Sequence, residues 1–109
     1  MKILFTTNGD NWSSKIESRF GRTRGFLIYD EEKGDLNYYD NSNNANAAHG
    51  AGTQTSSRVI DLGVDLIITG NMPGNKAKSM LDNYNIKILS GAHNMTIEAA
   101  YKAYKNQEL

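Results

Sequence analysis

Cysteine is absent from the 109-residue chain, which excludes disulfides, thiolate-held zinc and a cysteine nucleophile. Proline and tryptophan occur once each, and His49 and His93 are the two histidines, so imidazole is the soft nitrogen ligand that remains. Neither sign of charge prevails, because Lys and Arg number 12 and Asp and Glu number 12. A formal charge of zero argues against nucleic acid or an anionic membrane surface as partner. Long apolar runs are missing as well. The opening "MKILFTTNGD" is too short in its apolar part for a signal-peptide core, and nowhere is a run long enough to span a bilayer. The expected setting is the cytoplasm, and the Asn-x-Ser/Thr triplets at Asn11 and Asn94 then carry no glycan. The length allows one core, so residues 1–109 are read as a single domain.

Compact apolar runs from Lys2 to Phe5 and from Gly25, "GFLIYD", read as strands. Glu32, Lys33 and Gly34 then form a polar turn before Leu36, so the second and third strands are expected to make an antiparallel hairpin. "NSNNANAAHGAG", Asn41 to Gly52, follows with no side chain suited to a core. Next comes a helix capped by Thr53 or Thr55, burying Val59, Ile60 and Leu62 and ending at Gly63. "VDLIIT" from Val64 and "IKIL" from Ile86 read as buried strands, each leading into a helix. Ala77, Met80, Leu81 and Tyr84 recur at helical spacing, as do Ile97, Ala100, Tyr101 and Tyr104. The expected fold is α/β, a mixed five-stranded sheet in the order β-β-β-α-β-α-β-α with helices on its faces.

This topology brings four polar segments to one rim of the sheet: Thr6 to Arg24, Asn41 to Gly52, "GNMPGN" from Gly70 and "SGAHNMT" from Ser90. In "HGAG", Gly50 and Gly52 permit close backbone approach and the helix that follows offers free N–H groups, so the segment can cradle an anion, with His49 donating to it or ligating metal. The plainer reading is a loop turning into a helix. In "SRFGRTRGF", Arg19, Arg22 and Arg24 can clamp an anion, or can lie over the surface while Phe20 plugs the core. The helix after "GNMPG" exposes amides that include Asn75 and Lys76, but the P-loop pattern is missing. "SKIE" from Ser14 has capping-box spacing and predicts one helical turn before Phe20. Trp12 reads as a lid over the rim or as a cover on the core, Met72 as a soft contact or a gap filler, and His93 as a polar residue flanking a helix.

Three antiparallel strands followed by α/β units is the order of ribonuclease-H-like folds, whose nucleases hold two magnesium ions with carboxylates on the first and fourth strands. Here Thr6, Thr7 and Thr69 occupy those strand ends, and Asp65 falls at the opposite edge. That placement argues against two-metal hydrolysis, and neither a G-x-S-x-G elbow nor an H-E-x-x-H pair is present. An enzyme acting on a small anionic substrate lacks a visible acid-base pair.

The ordered set "KILFTTNG", "SRFGRTRGFLIYD", the asparagine-rich segment leading to "HGAG", "LGVDLIITGNMPGNKA" and "TIEAAYKAYKNQEL" resembles the dinitrogenase iron-molybdenum cofactor-binding domain family over nearly the whole chain. That group includes NifX, NafY and the carboxyl-terminal domain of many NifB proteins. The resemblance implies the ribonuclease-H-like motif and a non-catalytic carrier or sensor of an anionic iron-sulfur or iron-molybdenum cofactor, loaded and unloaded by cluster-donor and acceptor proteins. Carried over by position, it points to Arg19, Phe20 and Gly21, to Asn43 or Asn44, to His49, Gly50 and Gly52, and to Gly70; His49 is then expected to ligate metal or hydrogen-bond a cluster atom, and Arg19 and Arg22 to neutralise its charge. The chain departs from the family where a Gly-Pro pair usually precedes the helix after the fourth strand, because Pro73 and Gly74 stand in reverse order. A protein-interaction or regulatory module without its own cofactor is the alternative, with Trp12 and the exposed methionines as its contacts.

Overall fold

The computed structural model describes residues 1–109. Strands β1 (Lys2–Thr7), β2 (Gly25–Asp30), β3 (Asp35–Asp40), β4 (Leu66–Ile68) and β5 (Lys87–Leu89) form one mixed sheet in the order β3-β2-β1-β4-β5. β2 is antiparallel to β1 and β3, and β4 is parallel to β1 and β5. The helices are α1 (Ser42–Ala45), α2 (Ala51–Leu62), α3 (Asn75–Asn83) and α4 (Ile97–Lys105). The expected hairpin forms, with Gly34 at φ 73° in its turn.

β1 lies at the centre of the sheet, and its side chains alternate between two cores. Leu4 joins Phe26, Ile28 and Ile67 beneath Val59 of α2 and Ala77 and Leu81 of α3. Ile3 and Phe5 join Leu27, Leu66 and Ile68 against Ile97 and Ala100 of α4. A strand buried on both faces needs a continuous apolar run, which "KILF" supplies. The three longer helices thus divide as α2 and α3 on one face and α4 on the other.

Three local expectations are corrected. "SKIE" forms no helical turn: Lys15 and Ile16 make β-bridges to Thr96 and Thr7, and the first helical geometry is a 3-10 turn over Phe20–Arg22. The buried Ile16 and its bridges outweigh the capping pattern, a tertiary override of local preference. α2 starts earlier than expected, at Ala51 with Gly50 as N-cap, so neither Thr53 nor Thr55 caps it. Thr55 instead sits fully buried in the second turn. The asparagine-rich stretch contains α1 and does enter the interior: Asn41 is 1% exposed.

Trp12 covers the core rather than the rim. Its ring lies 5.1 Å from Tyr29 and 5.8 Å from Tyr101, and Tyr101 in turn stands 5.2 Å from Tyr29. The Tyr101 hydroxyl donates to Glu31 Oε2 at 2.7 Å, and Lys105 Nζ donates to the same oxygen at 3.2 Å. The phenol hydrogen bond first, and then the ammonium, hold the Glu31 carboxyl below its ordinary range. A carboxyl depressed in the folded chain contributes stability above its ordinary pKa, and that contribution is lost as pH falls through the folded value. Glu31→Gln is therefore expected to cost about 1 kcal/mol at neutral pH, a charge-assisted bond discounted for partial solvent screening. In urea denaturation the gap between variant and wild type closes as pH drops below the ordinary carboxylate range.

Candidate functional site: a cleft between two helix N-termini

After β3 the chain must leave the sheet edge and enter α2, and Asn41 governs that passage. Its amide N–H donates to the Arg24 carbonyl at 2.7 Å, and its carbonyl accepts from Ala45 N–H, closing α1. Its side-chain Nδ2 lies 3.1 Å from both the Thr23 carbonyl and Thr55 Oγ1, while Oδ1 accepts from Asn44 Nδ2 at 2.8 Å. Thr55 Oγ1 in turn reaches the Gly21 carbonyl at 3.4 Å. One buried carboxamide thereby joins the start of β2, the end of β3, α1, α2 and the 3-10 turn. No buried side-chain polar atom is left without a partner.

The 3-10 turn and α2 then come together so closely that only glycine fits. A Cβ on Gly21 would lie 2.9 Å from both Cα and N of Gly52. A Cβ on Gly52 would meet only Ala77 Cβ, at an ordinary 3.7 Å, across the gap to α3. That gap is a cleft of about 420 Å³ lined by Gly21 and Arg22, by Gly50 to Thr53, and by Gly74 to Ala77.

The chemistry of the cleft follows from the helix ends. Gly50 and Gly74 are the N-caps of α2 and α3 and offer no capping side chain. The first amides of each helix, Ala51 to Thr53 and Asn75 to Ala77, make no hydrogen bond to backbone or side chain. Neither first turn carries an acid, whereas α4 has both the Thr96 cap and Glu98. Lys76 and Arg22 bring positive charge without a carboxylate partner within ion-pair distance. Two positive dipole ends and two cations around one glycine-walled space favour an anion. No group of three or more His, Cys, Asp or Glu side chains is arranged to hold a metal ion.

Of the residues singled out from the sequence, Gly21, Arg22, Gly50 and Gly52 line the cleft. His49 directly precedes Gly50 and is exposed. Phe20 is 3% exposed and belongs to the core. Arg19 is exposed, 3.9 Å from Glu17. Asn43 and Asn44 lie on α1, Asn43 exposed and Asn44 bonded to Asn41. Gly70 is in another part of the rim, against Ser18, and His93 Nδ1 stands 3.4 Å from Ser18 Oγ. The rim is thus two neighbourhoods: the Ser18, Gly70 and His93 loops, and the α2–α3 cleft. Asn75 and Lys76, singled out for the amides that open the helix after Pro73-Gly74, line the cleft too, and Thr53 is the polar lining residue read from the sequence only as a cap.

A small α/β domain with an electropositive, glycine-walled cleft at two helix N-termini is the class that fold and site define. The family model described as dinitrogenase iron-molybdenum cofactor matches residues 1–107, and the chain belongs to that family. It is 28% identical over 99 residues to an uncharacterized protein of Methanocaldococcus jannaschii, covering 89% of this chain and 82% of the relative. The apo form of the orange protein from Desulfovibrio gigas superposes with a TM-score of 0.92 at 26% identity, over 98% of this chain and 88% of that one. A Thermotoga protein described as a candidate NifB superposes with a TM-score of 0.80 at 27% identity, over 98% and 89% of the two chains. No helix is long and apolar enough to cross a membrane.

The two cleft glycines differ in what they tolerate. Gly21→Ala must push backbone against backbone and is expected to cost about 2 kcal/mol. Gly52→Ala gains helix preference and is expected to leave stability within about 0.5 kcal/mol of wild type. Urea midpoints of the two variants check the asymmetry.

Proposed function

We propose that this chain is a non-catalytic cytoplasmic carrier that takes an anionic iron-sulfur or iron-molybdenum type cofactor as cargo in the α2–α3 cleft. The observation that carries the reading is the set of six unpartnered amides flanked by Arg22 and Lys76, with no acid among them. Membership of the cofactor family supports it, as do the likeness to a protein solved in an apo form and to a candidate NifB.

The donor set suits cargo better than a resident metal. A chain without cysteine cannot grip iron by thiolate, so the cofactor is held through its anionic periphery by amide N–H, guanidinium and ammonium groups. His49, exposed next to Gly50, supplies one imidazole to a cluster metal. A single protein ligand and a set of hydrogen bonds leave the cofactor free to pass to an acceptor protein. Gly50 and Gly52 keep the amides open, and Arg19 adds charge at the approach. Asn43 and Asn44 present carboxamides from α1. Phe20, anchored in the core, sets the position of Gly21 and Arg22, and Gly70 shapes the adjoining loop.

Anaerobic titration with isolated iron-molybdenum cofactor, read by absorbance and by iron and molybdenum retained after desalting, tests the proposal. Wild type is expected to bind, His49→Ala to bind about tenfold more weakly, a loss of roughly 1.4 kcal/mol, and Gly52→Ala to stay folded while its Cβ narrows the cleft and weakens binding. Absence of binding by the wild-type protein would overturn the reading. Binding that survives both substitutions unchanged would move the cofactor elsewhere on the chain.

A further inference from the structure

Arg22 occupies an unusual position for a cleft cation, because part of its guanidinium is already engaged. Nη1 donates to the Ala45 carbonyl at 3.0 Å and to the Ala47 carbonyl at 2.7 Å. Those carbonyls belong to the end of α1 and to the segment that runs on to His49. Nη2 and Nε make no hydrogen bond to the protein, and Arg22 lines the cleft.

The segment it holds has little else to hold it. Asn46 and Ala47 N–H bond back to Ser42 and Asn44 within the same single turn. The amides of Ala48, His49 and Gly50 have no partner in the protein. Asn41 anchors the chain before this segment and Ala51 begins α2 after it. Ser42 Oγ ties the start of the stretch to Asp40, Asn44 Nδ2 bonds to Asn41, and Thr53 Oγ1 donates to the Gly50 carbonyl at its end; in the middle, at residues 45–47, the Arg22 guanidinium is the side chain that reaches the backbone.

Resting on the anion-carrier reading above, we infer that Arg22 is the positioning residue for His49: one nitrogen of its guanidinium tethers the 45–47 segment while the others meet the cargo, so that anion binding and imidazole placement are coupled. The planar fork is what makes this dual use feasible, since its donors are spread over three nitrogens in fixed directions. Lysine keeps the charge but gathers its donors on one atom, and it cannot face the carbonyls and the cargo from two separate points. Cargo binding draws the guanidinium toward fixed partners on both sides and orders the segment further.

The test is a double-mutant cycle on isolated iron-molybdenum cofactor binding with Arg22→Lys, Arg22→Ala, His49→Ala and the Arg22→Lys/His49→Ala pair, accompanied by backbone ¹⁵N heteronuclear NOE values for residues 46–50 in the cargo-free proteins. Arg22→Lys is expected to weaken binding about tenfold despite conserving charge. Adding His49→Ala to it is expected to cost less than about twofold more, because the imidazole is already displaced. In the cargo-free Arg22→Lys and Arg22→Ala proteins the NOE values of residues 46–50 fall, while those of α2 and β1 stay at wild-type values. Affinity preserved in Arg22→Lys, or effects of the two substitutions that multiply in full, would overturn the coupling. Unchanged NOE values in both Arg22 variants would overturn the tether. If the wild-type protein binds no cofactor, the carrier reading falls, and the cargo-free NOE values still decide whether Arg22 holds the His49 segment.

Discussion

The cleft depends on one buried carboxamide. Asn41 sits where the edge strand β3 ends, and its side chain satisfies the Thr23 carbonyl, Thr55 Oγ1 and Asn44 Nδ2 at once. Thr23 and Thr55 are fully buried, and a buried polar group left unpaired costs about 1–3 kcal/mol. The network leaves the chain little freedom in the path from β3 to α2, and that path brings Gly52 against Gly21 and the open end of α2 toward the open end of α3. A hydrogen-bond hub in the interior is thus the reason that polar backbone is exposed in a defined direction at the rim.

The electrostatics of the cleft arise from omissions as much as from charged groups. α4 has the usual helix start, a threonine cap and a glutamate in the first turn, while α2 and α3 begin at glycines with neither. Their free N–H groups and dipole ends add to Arg22 and Lys76 in a chain whose total formal charge is zero. Net charge therefore says little about this protein's ligand preference, and local arrangement says much. The same economy separates binding from folding: of the residues that line the cleft, Ala77 belongs to a core and Gly21 packs closely on Gly52, while Arg22, Thr53, Asn75 and Lys76 belong to neither core.

Much of this was legible in the sequence. Strand and helix order followed from "KILF", "GFLIYD", "DLIIT" and the helical spacing of Leu81 or Ala100, because apolar periodicity reports burial directly. Gly21, Arg22, Gly50 and Gly52 could be picked out as rim residues. What was not legible came from contacts between distant segments. The role of Asn41 depends on Thr23 and Thr55, which no local pattern joins to it. "SKIE" carries a helix-start pattern that the bridges of Ile16 override. The split of the rim into a Gly70–His93 part and an α2–α3 part depends on loop paths that strand order alone does not specify.

The central claim is that an anionic metal-sulfur cofactor sits between the N-termini of α2 and α3. Its most direct test is a ¹H–¹⁵N spectrum of the protein recorded anaerobically with and without substoichiometric isolated iron-molybdenum cofactor, whose paramagnetism broadens nearby amides. The account predicts that broadening is greatest at Ala51 to Thr53, Asn75 to Ala77 and Gly21, and is slight at Gly70 and His93. Broadening centred on Ser18, Gly70 and His93, or none above that caused by a diamagnetic anion, would contradict it.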